Sequence, residues 1–148
     1  MVIYDDRPGI EQLRAMAAGE AQRPGIGRSL HFHLTEVGEG RVVFEGVPGD
    51  YAGNPIGTIH GGYAATLLDS ACGCAVHSRL ATGQGYTTLE LKVAYHRAMT
   101  IDTGPVRAVG EVISMGRRAA FAEAKLLDSN DRLIASATST LLVFDRKA

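Results

Sequence analysis

Asp69 and His60 are the residues of this chain whose types and spacing could do chemistry together. Both lie in "NPIGTIHGGYAATLLDSACGCAVH", residues 54 to 77, which reads as a loop followed by a helix of unusually small residues. One helical turn from Asp69 stand Ala65, Cys72 and Gly73, and no Lys or Arg lies within four residues on either side. No local ion pair can hold the carboxylate. It either faces a surface, with solvent or the adjacent Ser70 as partner, or sits partly desolvated among apolar neighbours. A carboxylate of the second kind is suited to act as a base or a nucleophile.

His60 is followed by two glycines. A helix that starts at Gly61 or Gly62 exposes unpaired backbone N–H groups at the positive end of its dipole. Glycines leave no side chain between those groups and a ligand oxygen. Such a site suits the oxyanion that develops in acyl transfer, and Asn54 and His60 are polar orienters in the same turn. A plainer reading takes Asn54-Pro55 and the glycines as turn punctuation.

Distance then imposes a condition. Gly61 and Asp69 are eight helical residues apart, about 12 Å of rise. A general base must lie about 3 Å from the proton it takes. If both features serve one reaction, the acid must come from a second chain whose helix runs antiparallel to the first. A twofold dimer supplies that and makes two equal sites.

The remaining chain must build a frame for this helix. Residues 9 to 18 carry a weak helical pattern that Gly19 ends, and "QRPGIG" is a breaker. "RSLHFHLTEV" and "RVVFEGV" flank "GEG", a connection of hairpin length. Residues 48 to 58 form a loop, the central helix covers about 60 to 80, and "ATGQG" closes it. Beyond it the period becomes two. In "TTLELKVAYHR", Leu89, Leu91, Val93 and Tyr95 are expected on one face, with Glu90, Lys92 and His96 on the other. "PVRAVGEVIS", "AAFAEAKLL" and "RLIASATSTLLVF" follow as strands, joined by the short turns "MGRR" and "DSND". The expected fold is α+β: a six-stranded antiparallel sheet with one apolar face, wrapped around the only long helix. Gly73 mid-helix costs about 1 kcal/mol against Ala, so tight packing must offset it.

The chain has 148 residues, 45% apolar and 21% charged, with a net charge of -1. This is the composition of one ordinary globular domain. No basic stripe points to nucleic acid, and no apolar run approaches the roughly 20 residues of a membrane helix. The first residues lack the pattern of a secretion signal, so the expected location is cytoplasmic. Cys72 and Cys74, two apart on a helix, point away from one another and cannot share a disulfide or a metal. His31 and His33 alternate on a strand and would share a face, but no third ligand stands at a telling spacing, so no metal is expected. His77 and His96 are read as structural or exposed. No G-x-S-x-G elbow or Walker-type loop occurs.

Taken together, "GNPIGTIHGGYAATLLDSA" resembles the signature of the hotdog-fold acyl-CoA thioesterases of the phenylacetate-degradation (PaaI-type) branch. "TTLELKVAYHRA" and "GRRAAFAEAKLLD" resemble the strand and hairpin that follow it there. The resemblance covers about residues 25 to 144, with residues 1–24 as an N-terminal helical segment and 25–148 as the hotdog domain. It implies hydrolysis of a coenzyme A thioester, homodimers that often pair into tetramers, and no cofactor. By position it makes Asp69 the nucleophile or general base, and gives the Gly61 N–H the thioester carbonyl. His60 would hold the loop, Asn54 would place water or substrate, and Gly62 and Tyr95 would contact substrate. A Ser or Thr near the start of the next strand touches the acid in that family. Counting back from Tyr95 gives Thr88, counting forward from Asp69 gives Thr87, and Thr88 is preferred. Gly116, Arg117 and Arg118 become candidate coenzyme contacts, since guanidinium groups suit phosphate. Ala98 stands where many relatives carry proline. A thioester carbonyl is electrophilic and its thiolate leaves readily, so a carboxylate and an oxyanion site suffice without a Ser–His pair. The rival readings are a hotdog hydratase or dehydratase, and a non-catalytic acyl-CoA binding or sensing protein.

Overall fold

In the computed structural model, which describes residues 5–20 and 25–147, a helix is enclosed by a curved antiparallel sheet. Two short N-terminal helices, α1 (Gly9–Ala17) and α2 (Ile26–Ser29), precede β1 (Phe32–Gly38) and β2 (Arg41–Gly46). A 3₁₀ turn (Asp50–Ala52) leads to the long helix α3 (Gly61–His77). Then come β3 (Gln84–Tyr95), β4 (Val106–Met115), β5 (Ala119–Asp128) and β6 (Leu133–Asp145). The strand order is β1-β2-β4-β5-β6-β3, so β1 and β3 are the edges. This is the α+β hotdog architecture expected from the sequence.

The sheet curves because its registers are interrupted. Bulges lie between Leu34 and Glu36, Thr88 and Glu90, and Val112 and Ser114. Each extra residue bends its strand and adds twist. The concave face presents Val42, Ala108, Ala122, Leu126, Leu141 and Val143 to Leu67, Leu68, Ala71, Cys72 and Val76 of α3, all fully or almost fully buried.

Small residues set the closeness of that contact. A Cβ built at Gly110 of β4 would lie 2.2 Å from the Ala71 carbonyl oxygen. One built at Gly73 would lie 2.6 Å from the Tyr86 hydroxyl. Gly73 is thus where the Tyr86 side chain reaches the helix, which is the packing that offsets its poor propensity.

At the other end α1 docks on the last turn of α3. The Gly9 N–H donates to the Leu80 carbonyl at 3.0 Å, and Leu13 is fully buried in the main core. His77 is buried, with Nε2 3.0 Å from Gln12 Oε1. The Gln12 amide nitrogen donates to the Arg7 carbonyl, so its oxygen is the acceptor and His77 Nε2 carries the proton. Burial, followed by the charge of Arg146, pushes this imidazole down to about 4.

Local expectations need correction. His31 precedes β1 at φ 53°, in the left-handed region, and its ring packs edge-on against Tyr51. It is off the strand, so the shared face with His33 does not exist. α2 and the 3₁₀ turn had no periodic signal strong enough to be read. Residues 21–24, which hold much of the expected breaker and the end of the N-terminal segment, lie outside the described residues.

Candidate active site

Asp69 sits mid-way along α3 on its least covered side. Ala65, Thr66, Asp69, Ser70 and Cys74 are all half-buried, while the flanking Leu67, Leu68, Ala71 and Cys72 are buried. The own sheet therefore covers most of the helix but leaves a stripe of small side chains with the acid in it. The Thr88 hydroxyl donates to Asp69 Oδ1 at 3.0 Å. Among the described residues Oδ2 has no protein partner.

The bulge in β3 selects Thr88 over Thr87. Alternation back from Tyr95 through Val93 and Leu91 would continue inward to residues 89 and 87. The register slips between Thr88 and Glu90, so Thr88 stands opposite the buried Leu141 and Thr87 opposite Leu142. Leu89 does not share the inner face as the period of two had suggested, and it is 61% exposed.

Cys72 and Cys74 flank the acid in space. Burial and the charge of Asp69 push both thiols up to about 12, and Glu123 adds to this for Cys72. Neither is a thiolate nucleophile at neutral pH.

His60 caps α3. Its backbone is extended (φ -61°, ψ 135°), and its ring Nδ1 accepts the Gly62 N–H at 2.8 Å. In the neutral ring the proton is then on Nε2, which faces away from that bond. The Gly61 N–H has no acceptor among the described residues, as befits the first position of a helix. Tyr95, at the far end of β3, donates its hydroxyl to the Gly61 carbonyl at 2.7 Å. Gly61 leaves room for this ring, since a Cβ there would lie 3.0 Å from Tyr95 Oη.

The preceding loop folds as a miniature hairpin. His60 N–H donates to Ala52, Asn54 N–H to Thr58, and Gly53 bridges Ile59. The Asn54 side-chain amide donates to Thr58 Oγ1 at 3.2 Å, so it closes its own loop. The Ile59 N–H donates to the Met99 carbonyl, which fastens the hairpin to the segment after β3.

Gly116, Arg117 and Arg118 form the tip of the β4–β5 hairpin. A depression of about 470 Å³ there is lined by Glu39, Arg79, Met115, Gly116 and Arg117. Arg118 does not border it. A second depression, about 330 Å³, lies on the outer sheet face between Lys92, Glu123, Lys125 and Thr138. Neither borders Asp69 or His60. The acid and the helix-start donors are thus at separate places in one chain, about 12 Å apart along α3.

Thr58, Met99 and Arg79 escaped the sequence reading. Thr58, four residues after Asn54, was legible as a side-chain-closed turn. Met99 had no local signal because its partner, Ile59, is distant in the chain, and Arg79 had none because only the fold brings it beside Arg117. Among the described residues no group of three or more His, Cys, Asp or Glu side chains is gathered for a metal, and no helix is long and apolar enough to cross a membrane.

The family model of the thioesterase superfamily matches residues 56–135, from the loop ahead of α3 into β6. The chain belongs to the thioesterase superfamily. Thioester hydrolysis is accordingly its reaction class. A phenylacetic acid degradation-related protein from Ralstonia eutropha is similar in structure to this thioesterase, at 26% identity and a TM-score of 0.79, over 88% of this chain and 98% of its own. Zebra fish thioesterase superfamily member 2 is similar at 27% identity and a TM-score of 0.75, over 90% and 96%. A hypothetical thioesterase from Streptococcus pneumoniae, solved with coenzyme A, shares the fold at 24% identity and a TM-score of 0.73, over 82% and 92%. No curated protein sequence matches the thioesterase significantly.

Proposed function

We propose that the protein hydrolyses acyl-CoA thioesters as a twofold dimer, each site joining Asp69 of one protomer to the Gly61 N–H of the other. The observation that carries this reading is the placement of Asp69. A threonine orients it on an uncovered stripe of small residues, while the free helix-start donor is about 12 Å away. Two such helices running antiparallel bring acid and donor face to face twice. The edge strand β3 supports the same pairing: it is 12 residues long, and its outer ladder is unpaired among the described residues. An edge of that length calls for a partner or a cover. Coenzyme A is the thiol in the reading because a structural neighbour was solved with it and because Arg79 and Arg117 border one depression without an ion-pair partner among the described residues.

In this mechanism the Gly61 N–H, at the positive end of the helix dipole, polarises the thioester carbonyl. Asp69 Oδ2 takes a proton from water as the water oxygen bonds to the carbonyl carbon, or attacks that carbon itself. Negative charge gathers on the carbonyl oxygen beside the N–H. Collapse breaks the C–S bond and releases the coenzyme A thiolate. In the water route the proton held by Asp69 passes to the thiolate. In the direct route water then cleaves the acyl–Asp69 anhydride, its oxygen going to the acid product and its proton to the thiolate, which restores the carboxylate. Thr88 keeps Oδ1 occupied so that Oδ2 faces the reactant. His60 holds the helix start and Asn54 the loop. Residues 25–148 carry this machinery, and in the segment before them α1 (Gly9–Ala17) closes the far end of α3.

Thiol release from a panel of acyl-CoAs, with Asp69→Ala alongside and the mass in solution measured by light scattering, tests the reading. The expected result is turnover of some member, its abolition by Asp69→Ala, and an even number of chains per particle. Turnover untouched by the substitution, or a fully active single chain, would overturn it.

A further inference from the structure

We infer that Tyr95 is a positioning residue that fixes the oxyanion donor through the first peptide of α3. This rests on the role given above to the Gly61 N–H. The Gly61–Gly62 peptide is held at both ends: its carbonyl accepts the Tyr95 hydroxyl at 2.7 Å, and its N–H donates to His60 Nδ1 at 2.8 Å. A peptide group is planar, so two such bonds fix the orientation of the whole plane. The peptide before it is fixed as well, since its carbonyl on His60 accepts the Tyr63 N–H at 3.0 Å. Among the described residues, the only polar group of these two peptides left without a protein partner is the Gly61 N–H.

Two consecutive glycines would otherwise be the loosest joint available to a helix start. They admit a ligand oxygen, and they also admit many backbone orientations. An oxyanion donor works through being oriented before the charge develops. The Tyr95 bond removes the freedom that the glycines introduce. Packing alone does not account for this side chain, because Tyr95 remains 55% exposed. The absent Cβ of Gly61 is what lets its ring and hydroxyl approach, the nearest ring atoms lying 3.0 to 3.2 Å from where that carbon would be. Gly61 therefore has two tasks: an open N–H on one side and a close tyrosine on the other.

The role differs from a substrate contact in what it does to the kinetics. A group that binds substrate and transition state alike changes KM, whereas one that aims the oxyanion donor changes kcat. Tyr95→Phe keeps the ring and removes only the hydroxyl. The expected result is a kcat reduced about tenfold, a KM within about twofold of wild type, and unchanged melting temperature and mass in solution. Tyr95→Met, which also removes the ring, is expected to lower kcat at least as far. Because the side chain is half exposed, neither change opens a core cavity. Full kcat in Tyr95→Phe, or a raised KM with kcat preserved, overturns the inference. Asp69→Ala assayed in parallel separates the levels: if that variant is dead and Tyr95→Phe is fully active, only the role of Tyr95 falls. If Asp69→Ala is fully active, the proposed site itself is wrong.

Discussion

Thr88 on β3 and Asp69 on α3 meet through one hydrogen bond of 3.0 Å, from the threonine Oγ1 to the carboxylate Oδ1. The bond crosses from the edge of the sheet to the middle of the helix, and it leaves Oδ2 as the carboxylate oxygen without a protein partner among the described residues. Thr88→Val preserves the shape of the side chain and removes the donor. A hydrogen bond to a charged group is worth roughly 1.5 kcal/mol, so kcat should fall about tenfold while KM stays close to wild type. Thr88→Ser should keep most of the rate, and Thr87→Val should keep all of it. Steady-state thiol release on one acyl-CoA checks the set.

Arg117 and Arg118 are neighbours in sequence but not in environment. Arg117 lines the depression that Arg79 also borders, and Arg118 does not. If phosphate groups of the substrate rest there, Arg117→Gln raises KM for acyl-CoA about fivefold at low salt, and Arg118→Gln changes it less. The effect of Arg117→Gln should shrink as salt is added, because exposed charges are screened. Equal effects of the two substitutions would move the coenzyme elsewhere.

His77 makes stability depend on pH. Its imidazole is depressed to about 4 in the folded protein against an ordinary value of 6.5. The unfolded chain therefore binds this proton more readily, and its uptake favours unfolding. The contribution is complete above about pH 6.5 and is lost as the pH falls through about 4. A shift of this size corresponds to roughly 3 kcal/mol. His77→Gln should flatten the fall in melting temperature across that window, measured by scanning calorimetry at several pH values. A wild-type slope retained by the variant would assign the dependence to other groups.

Gly110 tolerates no side chain. An added Cβ would lie 2.2 Å from the backbone oxygen of Ala71, and neither backbone can yield without moving helix or strand. Gly110→Ala should cost about 3 kcal/mol, the upper end for overpacking. Gly25→Ala meets nothing within 4 Å and should be close to neutral. Urea unfolding of the two variants gives the comparison directly.

The fold was largely legible because its signals are local. The period of two after residue 86, the Gly-containing turns and the single long run of small apolar residues settle six strands and one helix. The stripe of candidate residues around Asp69 was legible for the same reason. What failed were features decided across the sheet. The bulge that turns Thr88 inward and Leu89 outward arises from the pairing of β3 with β6, which no window on β3 alone contains. The fastening of Ile59 to Met99 joins residues 40 apart in the chain. His31 lost its strand position to a left-handed backbone that only its contact with Tyr51 makes visible.

β3 touches the acid through Thr88 near its start and the helix cap through Tyr95 at its last residue. It is also the border of the sheet, with only β6 beside it among the described residues. In the proposed mechanism one ribbon of backbone thus carries both halves of the chemistry, like two instruments bolted to a single rail. If a second protomer grips the open side of that rail, as proposed above, it tunes the pair at once, and assembly and turnover are then adjusted together.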